Sequence, residues 1–116
     1  MTTTISHWVD GAAYPGTSGL TADVTNPASG LVTGRVALAG EDDARYVIES
    51  SARAAGAWGA TSLARRTQVM FCFRELLNQR RDELARLVCA EHGKVLSDAL
   101  GEIIRGQEVV EFACGI

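Results

Sequence analysis

Residues 91–115 read EHGKVLSDALGEIIRGQEVVEFACG, and they contain the strongest signals for secondary structure in the chain. From Leu96 onward, apolar side chains recur every three or four positions, which is the spacing of one face of an α-helix. Gly93 suits the left-handed residue that commonly ends a preceding helix. We therefore predict that one helix ends near Gly93 and that a last helix starts near Ser97 or slightly earlier.

The sequence upstream of this stretch also has helical periodicity, which begins at Glu41. Acidic residues at the start of this segment favour a helix N-terminus, because the helix dipole is positive there. Gly56 and Gly59 are expected to end this helix, and Ser62 can cap the next one. The polar run 78–82 is expected to break or bend that second helix.

The first third of the chain favours β-structure. Asp10-Gly11 is a strong hairpin-turn signal, and residues 26–30, Asn-Pro-Ala-Ser-Gly, place proline and glycine for a second turn. The pattern predicts two short hairpins or a small antiparallel ribbon, with strands at Ile5–Val9, Ala12–Tyr14, Leu20–Thr25 and Leu31–Leu38. Short hairpins are marginal alone, so these strands need a packing partner.

Together these patterns predict an α/β protein, which is α+β within this chain. A β-hairpin region over residues 1–40 precedes three to four helices over residues 41–116. The length of 116 residues allows one small domain but not two.

Composition excludes several classes of function. The net charge is −3, from 11 basic and 14 acidic residues, so nucleic-acid binding has no electrostatic support. Apolar runs are too short to span a membrane, and the N-terminus lacks the pattern of a secretion signal. The three cysteines are an odd number, which suits reduced thiols, and we expect a cytoplasmic protein.

The cysteines do not form a recognisable site. Cys89 and His92 have a zinc-compatible C-x-x-H spacing, but a second pair is missing, so we interpret the spacing as incidental. Cys72 lies in an apolar stretch that favours packing over reactivity. Cys114 has no basic sequence neighbour to activate its thiol.

Arg105 is the charged residue with the most functional interest, because it lies in a helix otherwise rich in apolar positions. One interpretation is a solvated arginine paired with Glu102 or Glu108, each three residues away. The other is an arginine that binds a carboxylate through two parallel hydrogen bonds.

Several segments resemble the N-terminal region of the aldehyde dehydrogenase superfamily and, within it, the CoA-acylating methylmalonate-semialdehyde dehydrogenase branch. The run Arg-Gly-x-Glu-Val-Val-Glu-Phe-Ala that starts at Arg105 is the most specific of them. The resemblance covers nearly the whole chain, and its other segments are 9–11, 26–30, 65–77, 91–94 and 97–102.

This resemblance implies an enzyme that uses NAD and coenzyme A to convert a semialdehyde acid to acyl-CoA with loss of carbon dioxide. It also implies a homotetramer. The catalytic cysteine and the nucleotide-binding residues of such enzymes are expected downstream, so no catalytic or cofactor-binding residue is assigned here. Residues 1–116 would then be the incomplete N-terminal part of one nucleotide-binding domain, inactive alone and unable to bind either cofactor well.

The resemblance implies roles for three residues. Arg105 is expected to bind the substrate carboxylate, and Thr25 and Glu102 are expected to help hold a monovalent cation. Two alternatives remain open. One is another aldehyde dehydrogenase branch with a neutral substrate, and the other is a non-enzymatic binding module of 116 residues.

Overall fold

The computed structural model describes residues 3–115 and has the predicted mixed α/β architecture. It divides into two compact units, Met1–Ala60 and Thr61–Ile116. The elements are β1 (Thr3–Ile5), β2 (His7–Val9), β3 (Ala12–Tyr14), β4 (Thr21–Thr25), β5 (Val32–Ala37), α1 (Glu41–Ala60), α2 (Leu63–Gln79), α3 (Arg81–His92) and α4 (Leu96–Gly115).

The first hairpin forms as predicted, with β2 antiparallel to β3 and Val9 paired with Ala12. Both turn residues have positive φ angles, 53° at Asp10 and 75° at Gly11. A two-residue turn with two positive φ angles matches the right-handed twist of the strands that it joins. The Asp-Gly pair therefore sets the register of this hairpin.

A separate three-stranded sheet has the order β1-β5-β4. The antiparallel pairing of β4 with β5 was predicted, but the parallel pairing of β1 with β5 was not. The predicted single strand Ile5–Val9 is wrong, because Ser6 separates β1 from β2. Gly34 permits the close approach of β1: a Cβ atom at this position would lie 3.1 Å from the carbonyl oxygen of Thr3.

Helix α1 continues to Ala60, so the prediction that Gly56 and Gly59 end it is wrong. An interior glycine costs about 1 kcal/mol relative to alanine, which a 20-residue helix can tolerate. The buried side chains of α1 are the polar residues Asp43 and Ser50. The hydrogen bonds of these two side chains therefore help to attach α1 to the rest of its unit.

The second unit consists of α2, α3 and α4, and its boundaries follow local signals. The Ser62 hydroxyl accepts a hydrogen bond from the backbone N–H of Arg65, as the predicted cap requires. Helix α2 ends at Gln79 within the polar run that was expected to break it. Gly93, with φ 80°, ends α3, and its N–H donates to the Cys89 carbonyl at 2.8 Å.

Few apolar side chains are buried in residues 3–115, namely Ala85, Ala99 and Val110. The accessible surface is 8502 Å², whereas two separate compact units, each of half this mass, would expose only about 7,300 Å². Helix α2 has no buried residue, and Cys72 is exposed, contrary to its predicted packing role. Large apolar faces therefore lack a partner within the described chain.

Candidate functional site

A hydrogen-bonded cluster ties α4 to α2. The Arg74 guanidinium donates from Nε to Glu111 Oε1 at 2.7 Å. The amide of Gln107, oriented with its oxygen toward this guanidinium, accepts from Nη2 at 2.9 Å and from Nε at 3.0 Å. That orientation follows from chemistry, since arginine only donates. Because Gln107 is buried, the cluster fixes how α4 sits on α2.

The turn between α3 and α4 places a lysine against the first turns of α4. Lys94, directly after Gly93, donates from its ammonium group to Glu102 Oε1. The Lys94 side chain is only 16% exposed, and that of Glu102 is 48% exposed. The hydrogen bond from Lys94 lowers the pKa of Glu102, and the charges of His92 and Arg105 act in the same direction. Glu102 is therefore held as a carboxylate by a specific partner.

Arg105 lies on the exposed side of α4, one turn beyond Glu102. Within residues 3–115 its guanidinium makes no hydrogen bond or ion pair. The pairing with Glu102 or Glu108 that helical spacing allows is not formed, and Glu102 pairs with Lys94 instead. The five donors of the Arg105 guanidinium remain available for an anion.

Thr25 and Glu102, the candidate cation ligands, belong to different units of the structure. Thr25 is exposed at the end of β4, where the register with β5 shifts between Val24 and Thr25. Among residues 3–115, groups of three or more histidine, cysteine or acidic side chains that could hold a metal ion are absent. A cation site at Thr25 and Glu102 stays a prediction.

The sequence did not reveal the role of Asp43, which is 1% exposed. Its carboxylate accepts hydrogen bonds from the Tyr14 hydroxyl, from the backbone N–H and hydroxyl of Thr17, and from the Gly40 N–H. These hydrogen bonds, led by that from Gly40, hold the pKa of Asp43 well below its usual 3.8. The available signal was its third position in α1, from which an acidic side chain can bond back to the cap residue.

A second carboxylate joins the first hairpin to α1. Asp10 accepts hydrogen bonds from the Ser50 hydroxyl and, at 3.3 Å, from the Tyr46 hydroxyl. Arg53 lies 4.0 Å from the same carboxylate. The turn residue that sets the hairpin register therefore also anchors the hairpin to α1.

Residues 14–116 match the sequence model of the aldehyde dehydrogenase family. The chain belongs to this family. The interactions of Arg74 and Lys94 described above, and the exposed Arg105, all lie within the matched region of this aldehyde dehydrogenase chain.

Individual relatives share a narrower description. The malonate-semialdehyde dehydrogenase 1 of Geobacillus kaustophilus (strain HTA426) is 38% identical over 98% of this chain and 23% of the relative. The acylating, mitochondrial methylmalonate-semialdehyde/malonate-semialdehyde dehydrogenase of Mus musculus is 37% identical over 97% of this chain and 21% of the relative. This aldehyde dehydrogenase chain thus spans under a quarter of the length of these relatives.

A crystal structure of a protein from Sinorhizobium meliloti 1021, solved with NAD and assigned provisionally as a methylmalonate-semialdehyde dehydrogenase, has the same fold. Its TM-score is 0.96 at 43% identity, over 99% of this chain and 23% of that one.

Within residues 3–115, none of the helices combines the length and the apolar character that a membrane span requires.

Proposed function

We propose that this chain forms the N-terminal segment of an NAD-dependent, CoA-acylating dehydrogenase of malonate semialdehyde or methylmalonate semialdehyde. Support comes from the relatives with these substrates in their names, at 37–38% identity, and from the NAD-bound protein of the same fold. For malonate semialdehyde, the aldehyde, NAD⁺ and CoA give acetyl-CoA, NADH and CO₂. NAD accepts the hydride, and the role of this chain is to bind and orient the substrate acid.

The observation that carries this proposal is the exposed guanidinium of Arg105 on α4, which has no hydrogen-bond or ion-pair partner among residues 3–115. A semialdehyde acid needs a cation away from its reacting carbonyl, and a planar guanidinium binds a carboxylate with defined orientation. Orientation of this kind lowers the barrier, because the substrate arrives in a reactive geometry. Arg105 is therefore proposed to hold the substrate carboxylate.

The reaction is tested by assaying the complete gene product that contains this chain. Malonate semialdehyde and propanal, which have the same number of carbons, are compared with NAD and CoA while NADH and acyl-CoA are measured. The proposal predicts acetyl-CoA formation that requires CoA and a strong preference for the carboxylated aldehyde. Equal or better use of propanal would favour the alternative aldehyde dehydrogenase branch with a neutral substrate.

We also propose that Thr25 and Glu102 contribute to a monovalent cation site. Among residues 3–115, Lys94 is bonded to Oε1 of Glu102, so the half-exposed carboxylate offers Oε2 as a ligand for the cation. Replacing sodium and potassium with choline at constant ionic strength should then lower activity. Activity that is unchanged in choline would rule out a functional cation at this position.

The assembly and compartment of the enzyme are further proposals. Cys72, Cys89 and Cys114 are free thiols, which supports a reducing compartment such as the cytoplasm. The large exposed apolar faces support further contacts in the intact enzyme, proposed here to be a homotetramer. Light scattering of the purified gene product and fractionation of cells test these two statements.

A further inference from the structure

Glu102 is the carboxylate within the chain that is best placed to compete for Arg105. It precedes Arg105 by three positions, and residues at this spacing on a helix are neighbours. Helical side chains lean toward the N-terminus, so a side chain at position 105 can reach the turn that carries Glu102. The charge of Arg105 indeed contributes to the lowered pKa of Glu102.

In the structure, another cation is bonded to this carboxylate. Lys94 has its stem largely buried and its ammonium group on Glu102. The left-handed Gly93 positions Lys94, because it ends α3 and turns the chain toward α4. Glu102 thus has an ion-pair partner from outside its own helix, whereas Arg105 has no hydrogen-bond or ion-pair partner among residues 3–115.

We propose that Lys94 is a positioning residue that engages Glu102 and so keeps the Arg105 guanidinium free for the substrate carboxylate. This inference rests on the proposed function of Arg105. In it, Lys94 does not touch the substrate. It acts by removing an internal carboxylate that would otherwise occupy the same donors.

Glu108 provides the matched control. It also lies three residues from Arg105, is exposed, and has no hydrogen bond or ion pair in the described part of the chain. It follows Arg105 rather than preceding it, and acid-before-base pairs are the more favourable order on a helix. Glu108→Gln should therefore leave the effect of Lys94 on substrate binding intact.

The test is a double-mutant cycle in the complete gene product, at constant salt, with malonate semialdehyde and propanal as substrates. Lys94→Met should raise KM for malonate semialdehyde about 1.5- to 2-fold, the size of a helix ion pair, without changing KM for propanal. In a Glu102→Gln background, Lys94→Met should have no additional effect. Lys94→Arg, which keeps the cation, should behave like the parent.

Each outcome separates the possible explanations. If Lys94→Met raises KM equally in the parent and in the Glu102→Gln background, Lys94 acts on the substrate directly and the inference is overturned. A rise in KM for both aldehydes, or no rise at all, also overturns it. If Arg105→Ala itself fails to change KM for malonate semialdehyde, the proposed function fails instead.

Discussion

The Tyr14 hydroxyl donates a 2.7 Å hydrogen bond to the carboxylate of Asp43, which lies 29 residues further along the chain. The same carboxylate accepts from Thr17 and from the backbone N–H of Gly40. One buried side chain therefore joins the end of β3, the loop that follows it and the first turn of α1. This arrangement makes Asp43 the polar centre of the first unit.

Asp43→Asn is expected to loosen these contacts. The amide nitrogen is a donor, so it would face donors that the carboxylate now satisfies, and buried donors without acceptors are costly. We expect protection of the backbone amides at the start of α1 from hydrogen exchange to fall about tenfold or more in the complete gene product. Asp42→Asn is the control, because its side chain is exposed, and it should have little effect.

The Asp43 carboxylate also predicts a pH dependence. Its pKa is lower in the folded chain than in the unfolded chain. The stabilisation is therefore complete above about pH 4, the pKa of an ordinary aspartate, and it is lost as the pH falls below that value. Protection factors of α1, corrected for intrinsic exchange, should decrease between about pH 5 and about pH 3 in the parent. If the protection factors of Asp43→Asn showed the same decrease with falling pH as the parent, the Asp43 carboxylate would not be its cause.

Two glycine substitutions should have opposite effects on the second unit. Gly93→Ala places a side chain at φ 80°, which costs about 1–2 kcal/mol. Gly101→Ala lies within α4, where an added Cβ meets nothing within 4 Å, and should stabilise the helix by about 0.5–1 kcal/mol. Hydrogen exchange of α3 and α4 amides measures both. Destabilisation of similar size by both variants would show that the conformation of Gly93 is not the cause.

Local signals were sufficient to predict several element boundaries. Asp10-Gly11, Ser62 and Gly93 each specify a turn or a cap through their own backbone and side-chain preferences, and each was predicted correctly. The parallel pairing of β1 with β5 was not predicted. Parallel strands need a long connection, and these two segments lie about 30 residues apart, so local signals do not reveal their pairing.

Prediction of the candidate site had a similar limit. Helical spacing predicted Arg105 within the last helix and offered a solvated side chain as one of two interpretations. That Arg105 has no hydrogen-bond or ion-pair partner in the described part of the chain could not be predicted, because Lys94 reaches Glu102 from outside α4. Asp43 was interpreted only as a charge that suits the helix dipole, because Tyr14 and Thr17 are far from it in sequence.

The exposed apolar faces predict the behaviour of the 116-residue chain by itself. With few buried apolar side chains and an accessible surface of 8502 Å², the isolated chain should bind the dye ANS and self-associate. Fluorescence of added ANS and analytical ultracentrifugation measure these two properties. A soluble monomer that unfolds cooperatively and does not increase the fluorescence of ANS would instead support the non-enzymatic binding module.

The role of Arg105 as the ligand of the substrate carboxylate is tested most directly by the selectivity of Arg105→Ala in the complete gene product. The measured quantity is kcat/KM for malonate semialdehyde divided by kcat/KM for propanal. Loss of charged hydrogen bonds to the carboxylate should reduce this ratio about 10- to 150-fold. The ratio for Arg105→Lys should lie between those of the parent and Arg105→Ala, because lysine keeps the charge but cannot bind a carboxylate through two parallel hydrogen bonds. Arg86→Ala, at another exposed arginine, should match the parent. If the Arg105→Ala enzyme kept the parental ratio, Arg105 would not bind the substrate carboxylate.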